Sequence, residues 1–256
     1  MNKINQLFEC KNKNILSVYL TAGYPQTDDT LPVLRALQRA DVDLVEIGIP
    51  FSDPMADGVV IQQSSQRALE NGMNLRLLFS QLSDVRAEIH IPLIMMGYLN
   101  PIMQFGFENF CHECSRAGID GMIVPDLPMR DYLAEYKEIA DRYNLKFIFL
   151  ITPETSEERI REIDRNTDGF IYMVSVAAVT GTQNSFEAQI DYFQRINSMN
   201  LKNPRLIGFG ISNRETLDAA NRFSSGAIVG SAFIKCMGES ENAEKAVELL
   251  FEKLKS

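Results

Sequence analysis

Short apolar segments alternate with amphipathic helical patterns along the whole chain, and this repetition limits the possible folds more than any other feature. Each segment is short enough to be a buried parallel strand, and the eight segments cover residues 15–20, 43–49, 92–96, 121–124, 146–151, 169–174, 205–208 and 227–229. A helical pattern follows each of them; among these, helices are predicted over residues 75–88 and from residues 100–101 through Ala117. Strict alternation predicts a parallel sheet, and eight units in 256 residues predict an α/β fold of the closed (β/α)8 TIM-barrel type.

A doubly wound open sheet is the alternative fold. No Gly-x-Gly-x-x-Gly sequence follows any predicted strand, and no Walker-type glycine loop is present, so the barrel is favoured. A short extra helix is predicted over residues 3–9, and no linker or change of composition divides the chain. We therefore expect a single TIM-barrel domain over residues 1–256. Two later helices are predicted to begin with capping boxes, Thr155 with Glu158 and Ser212 with Glu215.

The composition excludes several classes of function. A net charge of −9 and a pI near 4.9 argue against a general nucleic-acid surface or an anionic membrane surface. The N-terminal residues lack the apolar core of a signal peptide, and no run is long enough for a membrane span, which predicts a cytoplasmic protein. The four cysteines are too few and scattered for a disulfide framework, and Cys111 and Cys114 on a helix are expected to be packing thiols without a metal.

Glu46 is an ionisable residue inside the second apolar strand. Burial of an ionised carboxylate costs several kcal/mol unless the group is partnered or stays neutral with a raised pKa, and such groups cluster at active sites. Gly48 shares its face of the strand and leaves space for a ligand. Asp57 follows in the next loop, so two carboxyl groups can reach one ligand for acid–base chemistry. The alternative for Asp57, as for Asp53, is a capping or solvated turn residue.

Two glycine-containing loops, 208–212 and 226–231, follow the seventh and eighth strands and lead into helices. Loops at these positions frequently bind phosphate in barrel enzymes, because backbone N–H groups and a helix N-terminus face the anion. The alternative is that the glycines only make tight turns. Tyr172, near the end of the sixth strand, is either a residue of the barrel mouth or a core tyrosine. The polar segment that follows it, which contains Thr180 and Gly181, is either a lid or an ordinary loop.

Four segments together resemble one known family in order and spacing, and the resemblance covers essentially the whole chain. They are EIGIPFSDPMADG at 46–58, PDLP at 125–128, VTG at 179–181 and GFGIS at 208–212. This pattern is similar to that of the tryptophan synthase alpha subunits. The resemblance implies reversible retro-aldol cleavage of indole-3-glycerol phosphate to indole and glyceraldehyde 3-phosphate, in tryptophan biosynthesis.

The resemblance also implies roles for individual residues. Glu46 matches the general acid/base that protonates indole C3 and then deprotonates the side-chain hydroxyl, and Asp57 matches the carboxylate that binds the indole N–H. Tyr172 matches a ligand-contacting tyrosine beside the catalytic glutamate. The phosphate cradle would comprise Gly181, Phe209, Gly210, Gly230 and Ser231, with Thr180 on the closing loop. The indole slot would be lined by Tyr19, Met96, Ile123 and Leu150.

The family further implies a beta subunit as partner, in an alpha2-beta2 heterotetramer. That partner carries pyridoxal phosphate and receives indole through a tunnel, whereas the alpha chain needs no cofactor. The 50–57 loop and the 101–107 region would face it. This chain departs from the family pattern at Val59, where proline is usual, and at Val176 and Ala178, where arginine and glycine are common. The second departure predicts altered closure of the lid.

Two other functions fit parts of the pattern. One is a barrel isomerase or aldolase for another sugar phosphate, although Lys146 lies at the wrong end of its strand for a Schiff base. The other is a non-catalytic subunit that binds the phosphate ligand and mainly activates its partner, which the altered residues Val176 and Ala178 would suit.

Overall fold

The fold is taken from a computed structural model that describes residues 1–175, 185–208 and 210–256, without the side chains of residues 185–188. Within these residues one sheet contains nine parallel strand segments. They are β1 (Ile15–Thr21), β2 (Leu44–Gly48), β3 (Leu93–Met96), β4 (Gly121–Ile123), β5 (Lys146–Phe147), β6 (Phe149–Ile151), β7 (Ile171–Val174), β8 (Arg205–Gly208) and β9 (Gly226–Val229). Their order in the sheet is β5-β4-β3-β2-β1-β9-β8-β7-β6.

The two ends of this sheet are parts of one extended stretch of chain. β5 pairs with β4 and β6 pairs with β7, while only Ile148 separates β5 from β6. The stretch 146–151, predicted as a single strand, therefore joins both edges and closes the sheet into a barrel. The prediction of a (β/α)8 TIM barrel is confirmed, with its fifth strand in two segments. A single domain over residues 1–256 stays a prediction.

Helices surround the barrel between the strands. They are α1 (Lys3–Cys10), α2 (Thr30–Arg39), α3 (Val59–Glu70), α4 (Leu75–Gln81), α5 (Leu99–Phe105), α6 (Phe107–Arg116), α7 (Met129–Asp131), α8 (Lys137–Arg142), α9 (Glu157–Asn166), α10 (Ser185–Ser198), α11 (Arg214–Phe223), α12 (Ser231–Glu239) and α13 (Ala243–Lys255). A π-helical turn, Tyr132–Tyr136, joins α7 to α8. The predicted extra helix is α1, whose fully buried Ile4 packs against Gly121 at the N-terminal end of the barrel.

Side chains of the strands divide into two apolar cores according to their direction. Inward-facing residues fill the barrel, among them Ile15, Tyr19, Leu44, Ile94, Ile123, Ile148, Phe170, Tyr172, Leu206 and Ile228. Their neighbours along the chain, such as Val18, Val45 and Met95, pack between the sheet and the helices. Alternation along each strand produces this division, so an inward residue near the C-terminal end of a strand lies at the barrel mouth.

Two predicted helix starts are wrong by one residue. The N-cap of α9 is Ser156, whose side chain accepts a hydrogen bond from the Arg159 N–H, while Thr155 accepts one from the Thr152 N–H instead. The N-cap of α11 is Asn213, which forms a capping box with Thr216 and displaces the predicted Ser212. Both observed caps have an extended backbone, which the cap position requires.

Two predicted helices are also shorter than the sequence pattern. The helix predicted over 75–88 ends at Gln81 and is followed by a separate short 3₁₀ turn, Val85–Ala87. The helix predicted to run to Ala117 divides into α5 and α6 at Gly106, where φ is 90°.

Throughout the described part of the chain, no helix has the length and apolar character needed to cross a membrane. The four cysteines are free thiols, and Cys111, Cys114 and Cys236 are buried, as expected for packing residues.

Candidate active site

A cavity of about 700 Å³ opens at the C-terminal ends of the strands, within the size range of small-molecule sites (about 300–1,000 Å³). Its wall combines residues of β1, β2, β3 and β7 with the loops after β2, β8 and β9. The lining residues are Tyr19, Glu46, Ala56, Asp57, Gly58, Ile61, Met96, Tyr172, Val174, Ser175, Gly210, Ile211, Ser212, Gly230, Ser231, Ala232, Lys235 and Lys253. Sites of barrel enzymes occur at this face.

Glu46 is fully buried at the base of this cavity. Its Oε1 accepts a hydrogen bond of 3.0 Å from the Ser17 hydroxyl on the neighbouring strand, while Oε2 has no hydrogen-bond partner among the described residues. Burial raises the pKa of Glu46 to about 8, and the Ser17 hydrogen bond opposes part of that rise. The carboxyl group is therefore mainly protonated at neutral pH, with one oxygen available to a ligand.

Two tyrosines reach the cavity because glycines follow on adjacent strands. Tyr19 pairs in register with Glu46, and its ring leans over Gly48, where an added Cβ would lie 2.0 Å from the Tyr19 hydroxyl oxygen. Tyr172 lies in the same way over Gly208, where the corresponding distance is 2.2 Å. A larger residue at either glycine would displace the tyrosine ring. Burial is the main cause of the raised pKa of both tyrosines, which stay protonated.

Asp57 is held at the cavity by contacts to its side chain and its backbone. Its Oδ2 accepts a hydrogen bond of 3.1 Å from the Tyr98 hydroxyl, and its carbonyl oxygen accepts one of 2.8 Å from the Gln62 side chain on α3. Burial raises the pKa of Asp57 to about 6, while the Tyr98 hydrogen bond lowers it. At neutral pH Asp57 is therefore mainly ionised while Glu46 is mainly protonated, so the two carboxyl groups differ in charge.

The opposite wall presents a helix N-terminus. Gly230 is the N-cap of α12 and supplies no capping side chain; its carbonyl accepts hydrogen bonds from the Phe233 and Ile234 N–H groups. The amides of Ser231 and Ala232 precede these first intrahelical bonds, so they are available to an anion in the cavity. Lys235, one turn further along α12, adds a cationic side chain to the same wall and makes no ion pair among the described residues.

The structure brings most of the predicted site residues together. The cavity wall includes Glu46, Asp57, Tyr19, Met96, Tyr172, Gly210, Gly230 and Ser231. Ile123 is fully buried in the barrel interior, and Leu150 packs against that interior and lines a separate cavity of about 320 Å³, so the role of both in an indole slot stays a prediction. Thr180, Gly181 and Phe209, like the altered lid positions Val176 and Ala178, lie outside the described residues.

Sequence reasoning missed several residues of the site, among them Ser17, Gln62, Tyr98 and Lys235. Ser17 carried a usable signal, since it is a polar residue facing inward two positions before Tyr19 on a buried strand. Tyr98 reaches Asp57 from the next strand–helix unit, 41 positions further along the chain, whereas Gln62 lies only five positions after Asp57. Among the described residues, no cluster of three or more His, Cys, Asp or Glu side chains could hold a metal ion.

A closed (β/α)8 barrel with two buried carboxyl groups of raised pKa in its mouth is typical of a TIM-barrel enzyme. Residues 6–256 match the family described as "Tryptophan synthase alpha chain". The tryptophan synthase alpha chain of Parabacteroides distasonis is 60% identical over 256 residues, which cover 100% of both chains. The chain therefore belongs to the tryptophan synthase alpha chain family.

Solved structures agree with this assignment. A mutant tryptophan synthase alpha-subunit from the hyperthermophile Pyrococcus furiosus superposes with a TM-score of 0.84 at 38% identity, covering 95% of this chain and 98% of the other. A tryptophan synthase structure from M. tuberculosis gives a TM-score of 0.85 at 25% identity, covering 98% of each chain. The chain is accordingly a carbon–carbon lyase that cleaves indole-3-glycerol phosphate to indole and glyceraldehyde 3-phosphate in tryptophan biosynthesis.

Proposed function

We propose that Glu46 is the general acid and then the general base of this cleavage, and that Asp57 is its electrostatic partner. The observation that supports this most directly is the environment of Glu46. The group is fully buried, has a pKa of about 8, and keeps Oε2 unpartnered among the described residues at the cavity. A neutral carboxyl group in this position can deliver a proton to a ligand.

The chemistry requires such a proton donor. Cleavage of the bond between indole C3 and the glycerol side chain would otherwise expel a C3 carbanion. Glu46 donates its proton to C3, which turns the ring into an indoleninium cation. The resulting Glu46 carboxylate then accepts the proton of the adjacent side-chain hydroxyl. The carbon–carbon bond breaks as the aldehyde forms, and its electron pair returns to the ring to restore neutral indole.

Asp57 stabilises the cation formed in the first step. Its ionised carboxylate accepts a hydrogen bond from the indole N–H, whose positive charge increases as C3 is protonated. The pKa of about 6 keeps Asp57 ionised at neutral pH. An anion fixed beside developing positive charge contributes more in a buried cavity than in water. Tyr172, Tyr19 and Met96 line the same space and would hold the indole ring.

The phosphate group would bind at the N-terminus of α12. The free amides of Ser231 and Ala232, with the loop at Gly210 and Gly230, offer donors, and Lys235 adds a positive charge to this wall. Thr180, Gly181 and Phe209 would complete this cradle and the closing loop, as the family resemblance implies. Ile123 and Leu150 would extend the indole slot.

The assembly and setting of the enzyme are also proposals. By family, the chain would work with a beta subunit in an alpha2-beta2 heterotetramer, with the pyridoxal phosphate in that partner and no cofactor in this chain. Met55 and Met103 support a contact surface, since they are 91% and 45% exposed and lie in the two regions expected to face the partner. Four free thiols and a biosynthetic reaction suit the reducing cytoplasm.

The test is indole release from indole-3-glycerol phosphate by the wild type, Glu46→Gln and Asp57→Asn, each with and without a beta subunit. Both variants keep the size of the side chain, and both are expected to lose at least about a hundredfold in kcat, Glu46→Gln through loss of a general acid–base group and Asp57→Asn through loss of electrostatic stabilisation. Full activity in Glu46→Gln would refute the mechanism. Ligand binding without turnover in the wild type, even with partner present, would instead indicate the non-catalytic subunit. Cleavage of a different sugar phosphate in its place would indicate the other barrel enzyme.

A further inference from the structure

We infer that Tyr98 is a positioning residue for the cleavage reaction, because it fixes the Asp57 carboxylate and the backbone that carries it. This inference rests on the proposed role of Asp57. Tyr98 does not line the cavity itself. It follows β3 and is the N-cap residue of α5, where its side chain is 7% exposed.

The hydrogen bonds of the Tyr98 hydroxyl have only one possible direction. The Ala56 backbone N–H can only donate, and it donates to the hydroxyl oxygen at 2.9 Å. The single phenolic proton is therefore left for Asp57 Oδ2, at 3.1 Å. The ring also packs against Phe51, with centroids 5.3 Å apart. Tyr98 thus contacts the loop after β2 at three places, which are the Phe51 ring near its start, the Ala56 N–H and the Asp57 carboxylate.

The backbone of Tyr98 is itself fixed from the next strand of the barrel. On one side of it, the Gly97 N–H donates to the Ile123 carbonyl at 3.0 Å. On the other side, the Leu99 N–H donates to Asp126 Oδ1 at 2.9 Å. Asp126 belongs to the PDLP segment, for which the proposed function provides no role. The connection from Asp126 through Tyr98 to Asp57 gives that segment a part in holding the site.

The charge on Asp57 depends on this contact and on the groups around it. Tyr19 on β1, Glu46 on β2 and Tyr172 on β7 share the cavity with Asp57, and Asp126 lies near Tyr98. The cationic side chains of Lys235 and Lys253 line the same cavity, but the hydrogen bond to the Asp57 carboxylate comes from Tyr98. The Tyr98 hydrogen bond lowers the pKa of Asp57, and its loss would raise that pKa. Since Asp57 acts as the anion, the acid limb of activity would move to higher pH.

The test is Tyr98→Phe, which keeps the ring and its packing on Phe51 but removes the hydroxyl. We expect kcat to fall at least about tenfold, the lower end of the effect of one hydrogen bond to a charged group, with KM changed less than threefold. The acid limb of the kcat–pH profile should move upward by about one unit. The matched control is Tyr192→Phe, which removes another buried hydroxyl, bonded to the Ile151 carbonyl away from the cavity. It should leave both kcat and the acid limb unchanged.

Two results would overturn the inference. One is a Tyr98→Phe enzyme with unchanged kcat and acid limb. The other is that Tyr98→Phe lowers kcat by the same factor in an enzyme that already carries Asp57→Asn. A residue that acts through Asp57 has no further effect once that carboxylate is gone. Unfolding midpoints of Tyr98→Phe and Tyr192→Phe identify any general loss of stability. The single variant Asp57→Asn distinguishes the two proposals. If the Asp57→Asn enzyme is active, the proposed function is refuted. If it is inactive while the Tyr98→Phe enzyme is unaffected, only the positioning role of Tyr98 is refuted.

Discussion

Removal of the hydrogen bond from Ser17 to Glu46 would measure how much this one neighbour changes the pKa of Glu46. The Ser17 hydroxyl donates to Oε1 at 3.0 Å and favours the ionised form, in opposition to the burial that raises the pKa of Glu46 to about 8. Replacement by alanine removes one oxygen atom and leaves the strand backbone intact. Ser17→Ala should therefore raise the pKa of Glu46 further, and the alkaline limb of kcat should move to higher pH.

The size of the shift follows from the strength of that hydrogen bond. A hydrogen bond to a charged group contributes about 1.5–3 kcal/mol, whereas one to a neutral group contributes about 1 kcal/mol. Only the difference between the ionised and the protonated carboxyl group changes the pKa. That difference is about 0.5–2 kcal/mol, and one pKa unit corresponds to about 1.4 kcal/mol, so we expect a shift of about half a unit to one and a half units.

The assay is the kcat for indole release measured from pH 6 to about pH 10, in a range that covers both the original and the shifted limb. The matched control is Ser224→Ala, which removes a buried serine hydroxyl bonded to backbone carbonyls outside the cavity. It should leave the limb in place. An alkaline limb that stays fixed in Ser17→Ala, or moves to lower pH, would refute the assignment of that limb to Glu46.

Three further predictions concern stability and phosphate binding. Glu46→Gln should stabilise the fold, because the pKa of Glu46 is raised on folding, so the folded state becomes less stable as pH rises above the unfolded pKa of 4.5, and this loss is complete above about pH 8. Urea unfolding should therefore show a free-energy gain for the variant that increases with pH to a few kcal/mol. A gain that does not vary with pH would argue against a buried, neutral Glu46. Gly210→Val should weaken binding of glyceraldehyde 3-phosphate but not of indole in calorimetry, since φ at Gly210 is 75°, and equal losses would indicate a purely structural loop. Lys235→Met should raise KM several-fold at low salt with kcat unchanged. The control is Lys245→Met, because Lys245 pairs with Glu248 away from the cavity. An equal rise of KM in both variants would exclude a local role of Lys235 in phosphate binding.

The barrel was predictable because its signal is repeated along the chain. Each of the eight predicted strands has its own apolar pattern, so an error in the bounds of one strand does not change the number of strands. The helix starts depended on a choice between neighbouring polar residues, such as Thr155 and Ser156. Each of these residues can accept a hydrogen bond from a backbone amide, so the backbone conformation at each position decides which one caps the helix. That conformation depends on packing, which the local sequence does not encode.

The candidate site shows the same difference between local and distant information. Glu46 was found because a carboxyl group is unusual within its own strand, and Asp57 because it follows closely in the chain. Tyr98 contacts Asp57 from 41 positions further along the sequence, and Ser17 contacts Glu46 across 29. Either contact requires the register of neighbouring strands, which the number of strands alone does not provide. The residues that tune the carboxyl groups are for this reason harder to predict than the carboxyl groups themselves.

The two pKa values together explain why burial of Glu46 suits a reaction of this kind. With a pKa of about 8 for Glu46 and about 6 for Asp57, the main state at pH 7 has Glu46 protonated and Asp57 ionised. In the proposed mechanism Glu46 gives its proton to C3 and receives one from the side-chain hydroxyl, so each turnover would return it to the protonated form without exchange with solvent. A fully buried acid would be slow to exchange its proton with water, but this cycle does not require that exchange. The same burial that raises the pKa of Glu46 therefore leaves its catalytic cycle intact, while the hydroxyls of Ser17 and Tyr98 limit how far each carboxyl group departs from the useful range.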